Sequence, residues 1–223
     1  MAEAFSAQSL QFLKDIEYFN TREWYQENKH VYEKRLLAPL QRLSGDLSKV
    51  VLQIDPFIET MPQRTISRIY RDTCFSRDKS LYRGNIWMVF RRRGESLFHY
   101  PAFFFEIYPS FYQYGMGFYQ ASAQYMERYR KAIMENEEAF QAIISAIKKA
   151  RVFELQGVMY KKNRYPGEKA LVADWYNRRN LFLVNKRESI ADIYDYQRLL
   201  RRLSRGFRGL GDIYDFLLKL TLS

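Results

Sequence analysis

The densest set of groups able to bind or move charge lies in one fifteen-residue segment, residues 68–82, R-I-Y-R-D-T-C-F-S-R-D-K-S-L-Y. Arg68 and Arg71 each offer a planar guanidinium fork that grips a phosphate or carboxylate through two hydrogen bonds. Lys79 adds a compact positive charge and Tyr82 a hydroxyl donor. Asp72 and Asp78 are placed either to orient the arginines or to accept and return a proton. The segment therefore reads as an anion site, with Arg68, Arg71 and Lys79 as ligands and Asp72, Asp78 and Tyr82 as candidate catalytic groups. The same residue types build something plainer. Arg71 with Asp72, and Asp78 with Lys79, could simply pin a loop, because structural ion-pair networks resemble sites. In an extended strand Arg68, Tyr70 and Asp72 share one face and Arg71 points to the other. Bringing both arginines to one ligand thus requires a bend near Arg71, and the loop Thr73–Ser80 is long enough to fold Lys79 back.

Other polar residues stand beside this segment. Trp24, Asn28 and Tyr32 recur every four residues, so they share one helical face. Asn28 and Lys29 could extend the anion site, while Trp24 and Tyr32 read as core anchors. Glu106 interrupts the apolar run A-F-F-F-E-I-Y. A carboxylate there either acts as an acid with a raised pKa or pairs with an arginine of the neighbouring strand, Arg91 or Arg93, and the pair is the reading we favour. Arg198, Arg201, Arg202 and Arg205 form a helical stripe near Tyr194 and Phe207, where a single nucleic-acid strand could be stacked and neutralised; a solvated helix face is the plainer reading. Cys74 is the only cysteine and His30 and His99 the only histidines, which excludes an intramolecular disulfide, a thiolate zinc site and a histidine-rich metal site. Gly115-x-Gly117 lacks the third glycine and the strand-to-helix setting of a dinucleotide fingerprint. No metal site or cofactor is implied.

The elements that must hold these groups follow from periodicity. Phe12, Ile16 and Phe19 mark a helix over 6–19. Asn20 and Glu23 suggest the cap of a second, and Pro39 kinks that helix or starts a third, which runs to about Leu52. Residues 86–92, 102–108 and 111–119 are rich in aromatic and β-branched residues and are separated by short turns, so an antiparallel sheet is expected within 64–120. Gly115 and Gly117 imply a bulge or a close backbone approach. Helical spacing returns over 123–223, broken near Asn136, with short extended pieces at 152–160 and 181–185. Strands grouped between helical blocks predict one α+β domain over 1–223: helical at 6–52, sheet at 64–120, mostly helical at 123–223.

The segment 68–82 is similar to the hallmark of the DUF2461 family of bacterial and fungal proteins, R-x-x-R-D-x-R-F-S-x-D-K-x-P-Y. Arg68, Arg71, Asp72, Phe75, Ser76, Asp78, Lys79 and Tyr82 match it. The stretch Thr21–Glu33, T-R-E-W-Y-x-x-N-K-x-x-Y-E, resembles the family's other recurrent motif, as do the strand pair before Gly115 and the helix around Arg130–Phe140. Cys74 replaces the family's arginine and Leu81 its proline. The resemblance covers nearly the whole chain and implies a fold and a grouping, with no activity attached.

Composition sets the remaining expectations. The 223 residues include 38 aromatics and carry a net charge of +11. Bulk disorder is excluded by the aromatic content, and the charge favours anionic partners. Between Arg64 and Arg93 nine cations face two carboxylates. The expected partner is an anionic small molecule, phosphorylated or carboxylated, with nucleic acid or a purely structural clasp as the alternatives. The N-terminal MAEAFSAQSLQF has no basic, apolar leader pattern and no apolar run approaches a membrane span, so a cytoplasmic protein with no membrane partner is expected. The oligomeric state is left open.

Overall fold

Three consecutive strands turn successive side chains to opposite faces, and in each the residues of one face are buried more fully than those of the other. The computed structural model describes residues 4–72, 77–94, 100–118, 121–185 and 188–222. Strands β1 (Ile86–Phe90), β2 (Ala102–Ile107) and β3 (Phe111–Gly117) form an antiparallel meander. Two four-residue strands from later in the chain, β4 (Phe153–Gln156) and β5 (Phe182–Asn185), extend it in the order β1-β2-β3-β5-β4, and β6 (Glu188–Ser189) pairs with the start of β3. The sheet therefore reaches well past residue 120. Strands β4 and β5 fall within the short extended pieces expected at 152–160 and 181–185; β5 joins the sheet by pairing with β3, and β4 by pairing with β5.

Phe103, Phe105 and Ile107 of β2 and Tyr112, Tyr114 and Met116 of β3 point to one face and are buried. The C-terminal helices α8 (Tyr196–Gly209) and α9 (Gly211–Leu222) cover that face. Phe207 meets Phe103 at 5.1 Å between ring centres, and Tyr214 stacks on Phe103 at 5.0 Å. Phe207 is thus core and is unavailable for stacking with a ligand. Helices α5 (Ala123–Glu135) and α6 (Glu137–Ala150) join at Asn136, where the sequence places the break, and a short α7 (Ala170–Tyr176) lies between β4 and β5.

The N-terminal helices pack beside this core. Helix α1 spans Ala7–Phe19, and α2 (Arg22–Val31) runs without a break through a π-helical turn, Tyr32–Leu37, into α3 (Ala38–Ile54). Pro39 has no N–H to offer the Arg35 carbonyl four residues back. The buried Ser9 hydroxyl of α1 donates to that carbonyl instead, and the Ala38 amide reaches the Glu33 carbonyl five residues back. The expected kink is therefore absorbed as a widened turn. A short α4 (Pro62–Thr65) precedes the segment that carries the signature. At the far end of α3, Asp55 accepts from Arg92 Nε at 2.7 Å and from the Tyr214 hydroxyl at 2.7 Å, which ties α3, the exit of β1 and α9 together. Burial alone would raise the Asp55 pKa, but these bonds and the Phe57 amide outweigh it and hold the carboxyl below its ordinary value.

Candidate functional site

The signature runs down and back beside β1 as an antiparallel pair. The Ser67 amide donates to the Trp87 carbonyl at 2.8 Å, the Arg71 amide to Leu81 at 2.8 Å and the Arg83 amide to Ile69 at 3.0 Å. Alternation holds along it: Arg68, Tyr70 and Asp72 are exposed, and Ile69 is buried. The hairpin is closed by an ion pair, Arg71 Nη1 to Asp78 Oδ2 at 3.1 Å. Asp78 also accepts from the Ser80 amide at 2.9 Å. That bond, with help from the Ser80 hydroxyl and Arg71, holds the Asp78 carboxyl below its ordinary pKa. Lys79 is exposed. Cys74, Phe75, Ser76 and His99 lie outside the described residues.

Arg83, in sequence only one of the nine cations between Arg64 and Arg93, connects the hairpin to the sheet. Its Nη1 donates to the carbonyls of Arg68 at 3.0 Å and Tyr70 at 2.9 Å. Its guanidinium carbon lies 4.6 Å from the centre of the Trp87 ring, a cation–π arrangement. Burial lowers the Arg83 pKa, and the charges of Arg71 and Arg68 lower it further while Asp72 opposes them. Arg71 and Arg68 thus lie close enough for their charges to act on Arg83.

Tyr82 has gone the other way. It is 1% exposed, stacked on Tyr25 at 4.7 Å and against Tyr70 at 5.0 Å. Burial pushes its hydroxyl up to about 12, so it stays protonated at neutral pH. Asn28 donates to the Trp24 carbonyl of its own helix at 2.9 Å, and Lys29 pairs with Glu33 one turn on at 3.5 Å. Both bonds lie within the helix, and Trp24 and Tyr32 anchor the core as expected.

The residue that joins the N-terminal helices to the signature is Asn20. It ends α1 in the left-handed region at φ 42°, and Thr21 caps α2 by accepting from the Trp24 amide, so the expected Asn20–Glu23 cap is replaced by two separate devices. The Asn20 Oδ1 accepts from the amides of Leu81 at 2.6 Å and Tyr82 at 3.1 Å, and its Nδ2 donates to the Tyr82 carbonyl at 3.1 Å. Leu81 can supply its N–H because it is not the family's proline.

The second face of the sheet carries the other half of the site. Strand register sets Trp87, Glu106 and Gln113 in one row across β1, β2 and β3, with Val89 and Phe104 in the next and Phe182 of β5 beyond. These half-buried side chains and Arg83 line a concavity of about 650 Å³, within the size range of small-molecule sites. Gly115 and Gly117 belong to this face. A Cβ on Gly115 would lie 1.9 Å from the Leu183 carbonyl oxygen, so the close backbone approach inferred from sequence is real. Glu106 takes three neutral donors in place of the expected arginine: Asn85 Nδ2 at 2.6 Å, the Tyr108 hydroxyl at 2.8 Å and Gln113 Nε2 at 2.7 Å. The register explains the difference. Extended by one residue, it sets Arg91 opposite Ala102, four residues along β2 from Glu106.

Fold and site together define a class: an α+β protein whose antiparallel sheet is backed by helices on one face and framed on the other by an arginine-bearing hairpin. A family model for conserved hypothetical proteins, DUF2461, matches residues 8–216, and the chain belongs to that family. A comparison with curated protein sequences returns no match. Among the described residues no group of three or more His, Cys, Asp or Glu side chains could hold a metal ion, and no helix is long and apolar enough to cross a membrane.

Proposed function

We propose that the protein binds a small molecule carrying a phosphate or carboxylate on the second face of the sheet, with the signature hairpin framing the anion. The observation that carries this reading is the concavity of about 650 Å³ with Arg83 at its edge and Glu106 held in its interior. Arg68 and Arg71 stand near Arg83 and raise the local positive potential for an anionic group. Trp87, Phe104 and Phe182 offer flat apolar surface to the body of the ligand. Glu106, fixed by three donors, would accept from a hydroxyl or amine of that body. The reading is one of binding rather than catalysis, because Tyr82 is sealed in a tyrosine stack and Asp78 is committed to Arg71 and Ser80. It carries with it a cytoplasmic setting, where such metabolites are held and a lone cysteine stays reduced.

A second reading has its own support. Asn20, the Arg71–Asp78 pair and the two carbonyls held by Arg83 form a clasp that would close the hairpin with no ligand at all. Thermal melting against nucleotides, sugar phosphates and organic acids separates the two, since a bound ligand raises the melting temperature by mass action. The expected result is a hit that disappears in a folded Glu106→Gln variant and weakens in Arg71→Ala. No hit from any compound, together with an Arg71→Ala protein that melts far below wild type, would leave the clasp alone.

A further inference from the structure

A groove of about 820 Å³ lies away from the sheet's second face, between α6 and α8. Its two walls differ in chemistry. One is α8, where Arg198, Arg201, Arg202 and Arg205 recur at i, i+3, i+4 and i+7 along one side. The opposite side of the same helix, Leu199, Leu203 and Phe207, is buried in the core, so the arginine side is held toward the groove. The other wall is apolar and includes Ala146 and Ala150 of α6 and Phe153 of β4.

The arginines are partly preorganised. Asp192, itself mostly buried, pairs with Arg198 Nε at 3.2 Å and Arg202 Nη1 at 2.9 Å. Arg202 Nη1 also lies 3.3 Å from the Tyr112 hydroxyl. Arg201 and Arg205 line the same groove and are exposed, and among the described residues neither is paired with a carboxylate.

Two parallel strips, one cationic and one apolar, select a ligand with two matching edges. A free phosphate would leave the apolar wall bare. An amphiphile charged at one end would meet one or two arginines and leave the rest. A single nucleic-acid strand has a row of phosphates on one side and base faces on the other. Its charges repeat along the strand, as the arginines do at about 5–6 Å between neighbouring turns of a helix. Lys148, Lys149 and Arg151 add positive charge near the end of α6, outside the groove, and the +11 net charge of the chain favours such a polyanion at long range. The geometry points to the groove between α6 and α8 as a site for a short segment of single-stranded nucleic acid. The phosphates lie on the α8 arginines, and bases rest on the apolar wall against Phe153. This site is separate from the small-molecule site on the sheet and does not depend on it.

Fluorescence anisotropy with a labelled, mixed-sequence single strand of ~12 nucleotides tests the assignment, a length within the range that single-strand grooves accommodate. Wild type is expected to bind at low salt and to weaken as salt rises. In Arg201→Gln/Arg205→Gln, affinity should fall ~10-fold or more, and the slope of log K against log salt should flatten by ~1.4, about 0.7 for each lost phosphate contact. Both positions are exposed, so melting should be unchanged and the variant should still respond to any ligand of the sheet site. Ala146→Asp, which adds a carboxylate to the apolar wall, should weaken binding as well. Lys161→Gln/Lys162→Gln removes the same charge elsewhere and should leave affinity within ~2-fold. Absence of binding at low salt, an equal loss in the Lys161/Lys162 variant, or competition by a mononucleotide as strong as by the strand would each overturn the assignment.

Discussion

Asn20 uses every hydrogen-bonding position of its side-chain amide. Besides its three bonds to the Leu81–Tyr82 backbone, Nδ2 donates to the Ile16 carbonyl at 3.0 Å. Its backbone sits at φ 42°, a conformation that asparagine tolerates better than most residues. Asn20→Ala should therefore leave two amides and a carbonyl of the hairpin without their partner, and should lower the free energy of unfolding by about 3 kcal/mol. Asn20→Asp keeps both accepted bonds and should cost less. Urea unfolding of the two variants checks this, and a midpoint unmoved by Asn20→Ala would rule out the clamp. The sequence shows a capping residue here and hides the clamp, because the bonded residues are more than sixty positions away. Arg83 was hidden for a related reason. Its importance comes from the turn of the hairpin, which delivers it to Trp87, and no spacing rule expresses that.

At the scale of elements, two devices make predictions. The first is the π-helical turn, where the Ser9 hydroxyl stands in for the N–H that Pro39 lacks. Ser9→Ala should cost about 1–2 kcal/mol, the usual penalty for an unpaired buried carbonyl. Pro39→Ala should recover part of that loss in the double variant by restoring a donor, and a double-mutant cycle on unfolding free energies reads the coupling. Strictly additive losses would show that the two residues act separately. The second device is the approach of β3 to β5 at Gly115. A methyl group there meets the Leu183 carbonyl and the Val184 backbone, so Gly115→Ala should destabilise the chain by about 3 kcal/mol or more. The damage should appear as faster amide exchange in β4 and β5 than in β1 and β2, and uniform exchange across all strands would contradict a local separation. The first three strands were legible because each has five or more residues with aromatic or β-branched character. Strands β4 and β5 have four residues each; the sequence marks both as extended but not as members of the sheet, because their place is set by long-range pairing, β5 on β3 and β4 on β5. The pair α5 and α6 was legible because each repeats its apolar spacing over three turns or more and Asn136 interrupts it.

Over the whole molecule, the aromatic content that excluded disorder also sets how the fold responds to alkali. Eight tyrosines (Tyr25, Tyr32, Tyr82, Tyr125, Tyr129, Tyr165, Tyr196 and Tyr214) are buried and have their pKa pushed above the ordinary value, burial being the largest cause in each. Three of them, Tyr32, Tyr82 and Tyr165, are pushed up to about 12. An unfolded tyrosine ionises near pH ~10. Above that pH the unfolded chain has given up protons that the folded chain still holds, so stability falls as pH rises. The stabilisation is fully present below about 10 and is lost as pH climbs through the raised folded values. Because eight groups act in the same direction, the loss should be steep and the unfolding cooperative. The buried set should ionise, as rising tyrosinate absorbance, together with the loss of helical circular dichroism. Tyr82→Phe removes one of these protons at the signature and should make the alkaline limb shallower, leaving stability at neutral pH less affected than Asn20→Ala does. A tyrosinate titration that is complete before any helix is lost would mean that the stack around Tyr25, Tyr70 and Tyr82 opens to solvent without unfolding. The hairpin would then be held by Asn20, the Arg71–Asp78 pair and Arg83 without help from the stack.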